Sequence, residues 1–233
     1  MPKKSQSIDG KLSALADIQR DIESELITEL VDPITAALGD RNNLVAAKGA
    51  ALCARLRSHD SIPDLLDAFE RFLSKPEKSD KGCLAKSAII KALYDLDYLE
   101  AEFYRKHLSY SQPEPAWGGS EDTAKDIRSV SALGLAASND HRAIMDLVRM
   151  LNDSEAEVRI SAVRAIGTLA PATSEAALRQ KACAGDSAAE VIDECFRELL
   201  KINPEDSVEF VAEFLQTGQP EVREFAAFSL GES

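Results

Sequence analysis

The stretch that decides the fold is Asp153–Leu169, which reads DSEAEVRISAVRAIGTL. It opens on an Asp, and Val158, Ala162 and Ile166 then recur at the spacing that places them on one face of a helix. The chain repeats this arrangement, and each time the Asp comes five residues before an aliphatic residue or Ala and thirteen before another apolar residue. The five copies begin at Asp40, Asp80, Asp122, Asp153 and Asp186.

A sixth copy, Val222 to Leu230, keeps the helix but has Thr217 in place of the Asp. Successive Asp residues lie 31 to 42 residues apart, and a period of this size is typical of an α-solenoid, in which each helix pair buries its apolar face against its neighbours. The fold class predicted is therefore all-α, a solenoid of about five to six helix pairs. We call the helix after each Asp, and its sixth copy, an Asp-led helix, and we call the helices between them intervening helices.

The apolar periodicity gives the expected bounds, with each Asp-led helix taken as the first of its pair. The Asp-led helices are predicted over 43–57, 83–96, 124–137, 155–169, 187–201 and 220–231. The intervening helices are predicted over 62–74, 97–108, 140–151, 173–184 and 205–216.

Three regions make up the expected domain organisation. Residues 1–7 are predicted to be disordered, 8–38 to form a helical cap, and 39–233 to form the repeats, with a loop inserted at 109–120. The cap is predicted to contain a long helix with apolar positions from Ile8 to Leu30 and a short helix that starts at Asp32-Pro33. The last repeat is expected to be incomplete, either because the chain is truncated or because an oligomer contact covers the final helix; truncation is the favoured explanation.

The repeated motif resembles HEAT repeats, particularly the short bacterial type also found in phycobilin lyases. The resemblance is clearest in Asp153–Leu169, with Ile127–Ala136 and Val222–Gly231 close behind, and Ala46 and Lys86 stand where the pattern has Arg. It implies right-handed stacking in an armadillo-like fold, with the first helix of each pair on the convex side and the second lining the concave side. It implies little about chemistry, because fold does not determine function.

The repeated Asp and the Arg that follows the aliphatic position have a structural explanation. A carboxylate before a helix accepts its free N–H groups and lies at the positive end of the helix dipole. Arg128, Arg159 and Arg223 are then expected to pair with carboxylates of neighbouring repeats. The alternative is a charged binding stripe.

Bulk composition excludes several classes of partner. The net charge of −13 argues against a nucleic-acid groove and against a membrane surface, since both need clustered Lys and Arg. No apolar run approaches the roughly 20 residues of a membrane-spanning helix, and the polar N-terminus shows no secretory signal, so a cytoplasmic location is expected. The four cysteines form no C-x-x-C pair and are expected to be structural.

The segment 109–120 is the most unusual stretch and carries the chain's one Trp. A loop held by a rigid scaffold is a common recognition element, and Trp and Tyr are favoured anchors, so Trp117 and nearby Tyr104 are candidate partner contacts. The alternative for Trp117 is that it folds back over an imperfect repeat junction.

The intervening helices supply the other candidate contacts, all charged and placed on the predicted concave side. These candidates are Arg105, Arg142, Asp146, Arg149 and Arg179. They would line a groove for a helix or an extended peptide, although such rows are often only a solvated face.

No catalytic residue, metal ligand or cofactor is predicted. Some HEAT-like proteins are di-iron hydroxylases with His-Glu dipeptides, but here His59, His107 and His141 are followed by Asp, Leu and Arg. The favoured hypothesis is a non-catalytic scaffold for a protein or peptide partner, possibly a basic one. One alternative is a bilin-lyase-like enzyme or chaperone that handles a protein-bound tetrapyrrole. A second is a HEAT-like DNA glycosylase, which the negative charge disfavours.

Overall fold

The computed structural model describes residues 7–23 and 31–232. These residues form α-helices and one β-hairpin, with short 3-10 turns at 59–61 and 81–83. The N-terminal elements are α1 (Ile8–Glu23), α2 (Val31–Leu38), α3 (Asn43–Arg55), α4 (Ile62–Leu73), α5 (Pro76–Ser79), α6 (Leu84–Asp95) and α7 (Ala101–His107). The hairpin strands are β1 (Pro113–Ala116) and β2 (Gly119–Asp122). The remaining helices are α8 (Lys125–Ala137), α9 (Ala143–Met150), α10 (Ala156–Gly167), α11 (Pro171–Ala184), α12 (Ala189–Ile202), α13 (Pro204–Thr217) and α14 (Pro220–Glu232).

The predicted helices of the repeats are confirmed, most to within two or three residues at each end. The Asp-led helices are α3, α6, α8, α10, α12 and α14, and the intervening helices are α4, α7, α9, α11 and α13. The predicted long cap helix corresponds to α1, which is described as far as Glu23. Its later apolar positions, Leu26 and Leu30, lie outside the described residues, as do residues 1–6. The predicted loop 109–120 instead contains the hairpin.

The chain divides into two compact units. Unit 1 comprises residues 1–98 and 110–127, and unit 2 comprises residues 99–109 and 128–233. In unit 1, α3 packs along α6, while α2 covers the other side of α3. A Cβ on Gly49 of α3 would lie only 3.0 Å from the Cβ of Ala37, so the missing side chain is what lets α2 approach.

Unit 1 also buries an ion pair. Lys86 Nζ lies 3.0 Å from Asp80 Oδ2, and neither side chain is exposed to solvent. The Asp80 carboxylate also accepts the backbone N–H groups of Ala85 and Lys86, at 2.9 and 3.0 Å. Lys86, which stands where the pattern has Arg, therefore pairs with the Asp of its own repeat.

In unit 2 the two rows of helices pack unequally. The Asp-led helices α10, α12 and α14 lie against one another along their length, whereas the intervening helices α9 and α11 touch each other much less. The Asp-led helices therefore form the more closely packed row of unit 2.

The predicted pairing of these Arg residues with carboxylates of neighbouring repeats is confirmed for Arg128 and Arg159. Arg128 donates Nε and Nη2 to Asp153 at 2.8 and 3.0 Å, and Arg159 donates the same two groups to Asp186 at 2.8 and 2.6 Å. Arg159 also donates Nη1 to the carbonyl of Asp153 at 2.7 Å, so Asp153 links the Arg128 ion pair to the Arg159 ion pair. Asp153 and Asp186 accept the backbone N–H groups of Glu155 and Ala188, the N-cap residues of α10 and α12, so each Asp lies two residues before the N-cap.

Candidate functional site

Trp117 lies at the tip of the hairpin in unit 1, and its side chain is fully exposed. Ala116 pairs with Gly119, so Trp117 and Gly118 form a two-residue turn, with Gly118 at a φ of +93°. The alternative in which Trp117 covers a repeat junction is wrong.

Tyr104, by contrast, is a core residue of unit 2, and its proposed role as a surface contact is corrected. Its side chain is fully buried. It packs where Gly134 of α8 leaves room: a Cβ on Gly134 would lie 2.4 Å from the ring. The sequence shows an aromatic residue near the loop, but only the packing shows that its ring points into the core.

Four of the predicted site residues meet in one ion-pair network on α7 and α9. Arg105 donates Nε to Asp146 at 2.8 Å and Nη2 to Asp140 at 2.5 Å. Arg149 reaches Asp146 at 3.4 Å, and Arg142 reaches Asp140 at 3.5 Å. Hydrogen bonds to Asp146 and Asp140 raise the pKa of Arg105 above its usual range. The backbone N–H of Arg142 and the side chain of Arg105 lower the pKa of Asp140.

Arg179, the remaining predicted contact, lies on α11. It donates to Glu175 at 2.9 Å and to the carbonyl of Asp206 at 3.0 Å, and its guanidinium lies 4.6 Å from the ring centre of Phe210. The charged candidates on the intervening helices are thus engaged in intramolecular contacts that tie one helix to the next.

A groove on the other row of unit 2 was not predicted. It has a volume of about 800 Å³ and is lined almost entirely by Asp-led helices. We call it the unit 2 groove, and its lining residues are Leu133, Arg164, Thr168, Glu194, Arg197, Glu198, Leu200, Lys201, Pro204, Ser229 and Glu232.

Two ion pairs give the groove its chemical character. Arg164 of α10 donates Nε and Nη2 to the two carboxylate oxygens of Glu194 on α12, at 2.8 and 3.0 Å. Lys201 Nζ lies 2.6 Å from Glu198 Oε1. In both pairs the carboxylate is nearly buried: the side chains of Glu194 and Glu198 are 11% and 10% exposed. The cations are about half exposed, with Arg164 at 55% and Lys201 at 66%. The groove therefore has an acidic floor and a cationic rim.

A third ion pair, between Arg197 and Asp193, adjoins the groove on the side of α14. Arg197 donates Nε to Asp193 at 3.1 Å, and Ser229 donates its hydroxyl to the other carboxylate oxygen of Asp193 at 3.1 Å. Hydrogen bonding to Glu194 raises the pKa of Arg164 despite partial burial, so its charge is secure. Each of these charged groups is oriented by an intramolecular hydrogen bond.

Gly167 makes room for the floor. It ends α10, and a Cβ there would lie 2.3 Å from Oε2 of Glu198. Glycine is common at helix ends, so only the packing shows that Gly167 makes room for Glu198. The several acidic residues of α12 are the remaining sequence signal for the groove.

Within residues 7–23 and 31–232, no three His, Cys, Asp or Glu side chains gather as a metal site would require. None of the helices in this part of the chain is both long and apolar enough to cross a bilayer.

The HEAT repeat family matches residues 145–172. This segment begins in α9, contains all of α10 and ends in the first turn of α11, so the family's repeat runs from an intervening helix through the Asp-led helix that follows. The prediction that the Asp-led helix comes first in each pair is therefore wrong by one helix. With the repeat corrected, the second helices that the resemblance places on the concave side are the Asp-led helices, which line the unit 2 groove.

The solved structures that this chain matches include an engineered protein, with 16% identity, a TM-score of 0.47, and coverage of 88% of this chain and 96% of that one. Another is human deoxyhypusine hydroxylase in complex with glycerol, with 16% identity, a TM-score of 0.43, and coverage of 97% and 91%. No curated protein sequence matches.

Proposed function

We propose that this chain, a HEAT-like repeat protein, is a non-catalytic interaction scaffold that binds a peptide segment of a partner protein in the unit 2 groove. HEAT repeats generally mediate protein interactions, and the groove gives this chain a specific place for one. The observation that carries the proposal is the arrangement of Arg164 and Lys201, half-exposed on the rim and each fixed by a buried carboxylate.

The size of the groove suits a short extended segment. Its lining comes from four successive Asp-led helices, α8, α10, α12 and α14. Neighbouring packed helices are about 9 Å apart, so three intervals span about 27 Å. At about 3.3 Å per residue, this length accommodates about eight residues of extended peptide.

The rim supplies donors for a peptide backbone. Nε and Nη2 of Arg164 donate to Glu194, and Nη1, which takes no part in that ion pair, is the donor offered to a peptide. An ammonium has three donors, and Glu198 takes one of those of Lys201. Because both cations are already oriented, binding a carbonyl or carboxylate of the partner costs little additional side-chain entropy.

The test is a selection of peptides from a phage-displayed library on the wild-type protein, followed by affinity measurement with fluorescein-labelled peptide. The variant R164Q/K201Q removes the rim charges and keeps polar side chains. We expect its Kd to rise at least about tenfold, since a hydrogen bond to a charged group contributes about 1.5–3 kcal/mol.

The matched control is R142Q/R149Q, which removes two exposed charges from α9, outside the groove. Its Kd should stay within about twofold of wild type, since exposed charges away from a contact contribute little. A larger loss in this control than in R164Q/K201Q would place the site on the intervening helices. Failure to enrich any peptide would count against the scaffold proposal itself.

A further inference from the structure

The hairpin of unit 1 presents an aromatic side chain to solvent on an otherwise well-anchored support. Pro113–Ala116 and Gly119–Asp122 pair in antiparallel register, and Trp117 stands fully exposed between them. No atom lies within 4 Å of the Cβ positions built on Gly118 or Gly119, so the space around the tip is open. Both faces of the indole are therefore accessible.

Buried polar contacts fix the base of the hairpin. Glu114 accepts the backbone N–H of Gly82 and the side-chain amide of Gln112, each at 2.6 Å, and the hydroxyl of Thr123 at 3.3 Å. The Gln112 amide also donates to the carbonyl of Asp80 at 2.9 Å. Because Gln112 and Glu114 are almost fully buried, these bonds are shielded from water and hold the base of the hairpin in place.

The same segment is uniformly acidic. From Ser109 to Asp122 there is no Lys, Arg or His, and the charged residues are Glu114, Glu121 and Asp122. Glu121 is exposed, while Asp122 accepts the N–H groups of Gln112 and Ala124. Burial of Glu114 is outweighed by hydrogen bonds from Gly82 and Gln112, so its pKa lies below its usual range and it is ionised at neutral pH.

We propose that the hairpin is a second recognition element, independent of the unit 2 groove, and that it binds a basic segment whose Arg or Lys side chain stacks on Trp117. A cation over an indole face is attracted by the negative face of the ring, and Trp is the strongest of the aromatic residues in this respect. The exposed carboxylate of Glu121 on the same hairpin adds charge complementarity and disfavours acidic segments.

Binding of a fluorescein-labelled octa-arginine peptide, followed by anisotropy at about 150 mM salt, tests this proposal. W117F retains an aromatic face and should bind within about twofold of wild type. W117L retains apolar area without the face and should bind about fivefold more weakly, the effect of one exposed cation–π contact. The emission of Trp117 should change on addition of unlabelled peptide, and since it is the only Trp of the chain the signal reports this position alone.

Charge controls separate recognition from general attraction to an acidic protein. E121Q on the hairpin should weaken binding more than E205Q, which removes the same charge from an exposed position on α13. Equal effects of the two, wild-type affinity of W117L, or binding without a change in Trp117 emission would each overturn the proposal. R164Q/K201Q should bind octa-arginine no more weakly than wild type, so the two proposals fail separately.

Discussion

The packing of Tyr104 on Gly134 predicts that G134A destabilises the protein, against the usual direction for such a change. In an exposed helix, Gly to Ala gains about 1 kcal/mol. Here the new Cβ would lie 2.4 to 2.6 Å from three carbons of the Tyr104 ring, whereas carbon atoms in contact are about 3.5–4.0 Å apart. The ring or α8 must therefore move by about 1 Å.

The magnitude follows from the balance of two terms. Overpacking a core costs about 1–3 kcal/mol, and the fully buried ring has no route to solvent, which puts the cost at the upper end. Subtracting the helix gain leaves a net loss of about 2 kcal/mol in the free energy of unfolding. Urea unfolding followed by far-UV circular dichroism measures it, with G231A as control, because a Cβ on Gly231 meets no atom within 4 Å.

A double mutant isolates the contact. Y104A alone should cost about 3–5 kcal/mol by leaving a cavity. Once the ring is gone, adding G134A should be neutral or stabilising, giving a coupling energy of about 2 kcal/mol or more between the two positions. If G134A stabilised the wild-type protein as G231A does, the placement of Tyr104 in the core would be refuted.

Two further predictions concern buried charges. D186N should destabilise the protein by about 3 kcal/mol at pH 7, because it leaves the buried Arg159 guanidinium without its carboxylate. Hydrogen bonds from Arg159 lower the pKa of Asp186 despite its burial, so its stabilising effect is present above the unfolded pKa of about 4 and should fade as pH falls further in acid titrations of both proteins. K86M should also cost about 3 kcal/mol in thermal unfolding, because it leaves the buried Asp80 carboxylate without its cation. D80N/K86M should recover most of that loss. A double mutant no more stable than K86M would contradict the pairing.

The hairpin and the division of the repeat show where reasoning from sequence reached its limit. The segment 109–120 is rich in Pro, Gly and Ser, which predicts a loop, but strand pairing between Pro113 and Asp122 depends on the register that buried Glu114 and Gln112 impose. The repeat was likewise detected correctly and divided wrongly, because a periodic pattern contains no marker of which helix begins the unit.

The sequence by itself determined the number and approximate bounds of the repeated helices, and that Arg128 and Arg159 pair with carboxylates of neighbouring repeats, because these depend on local spacing that recurs along the chain. Only the tertiary structure decided which neighbouring element covers the apolar face of each helix. It placed Tyr104 in the core, left Trp117 in solvent, and assembled the unit 2 groove from four helices that are far apart in sequence. Helical periodicity specifies a face but not the element that covers it, and exposure depends on that second element.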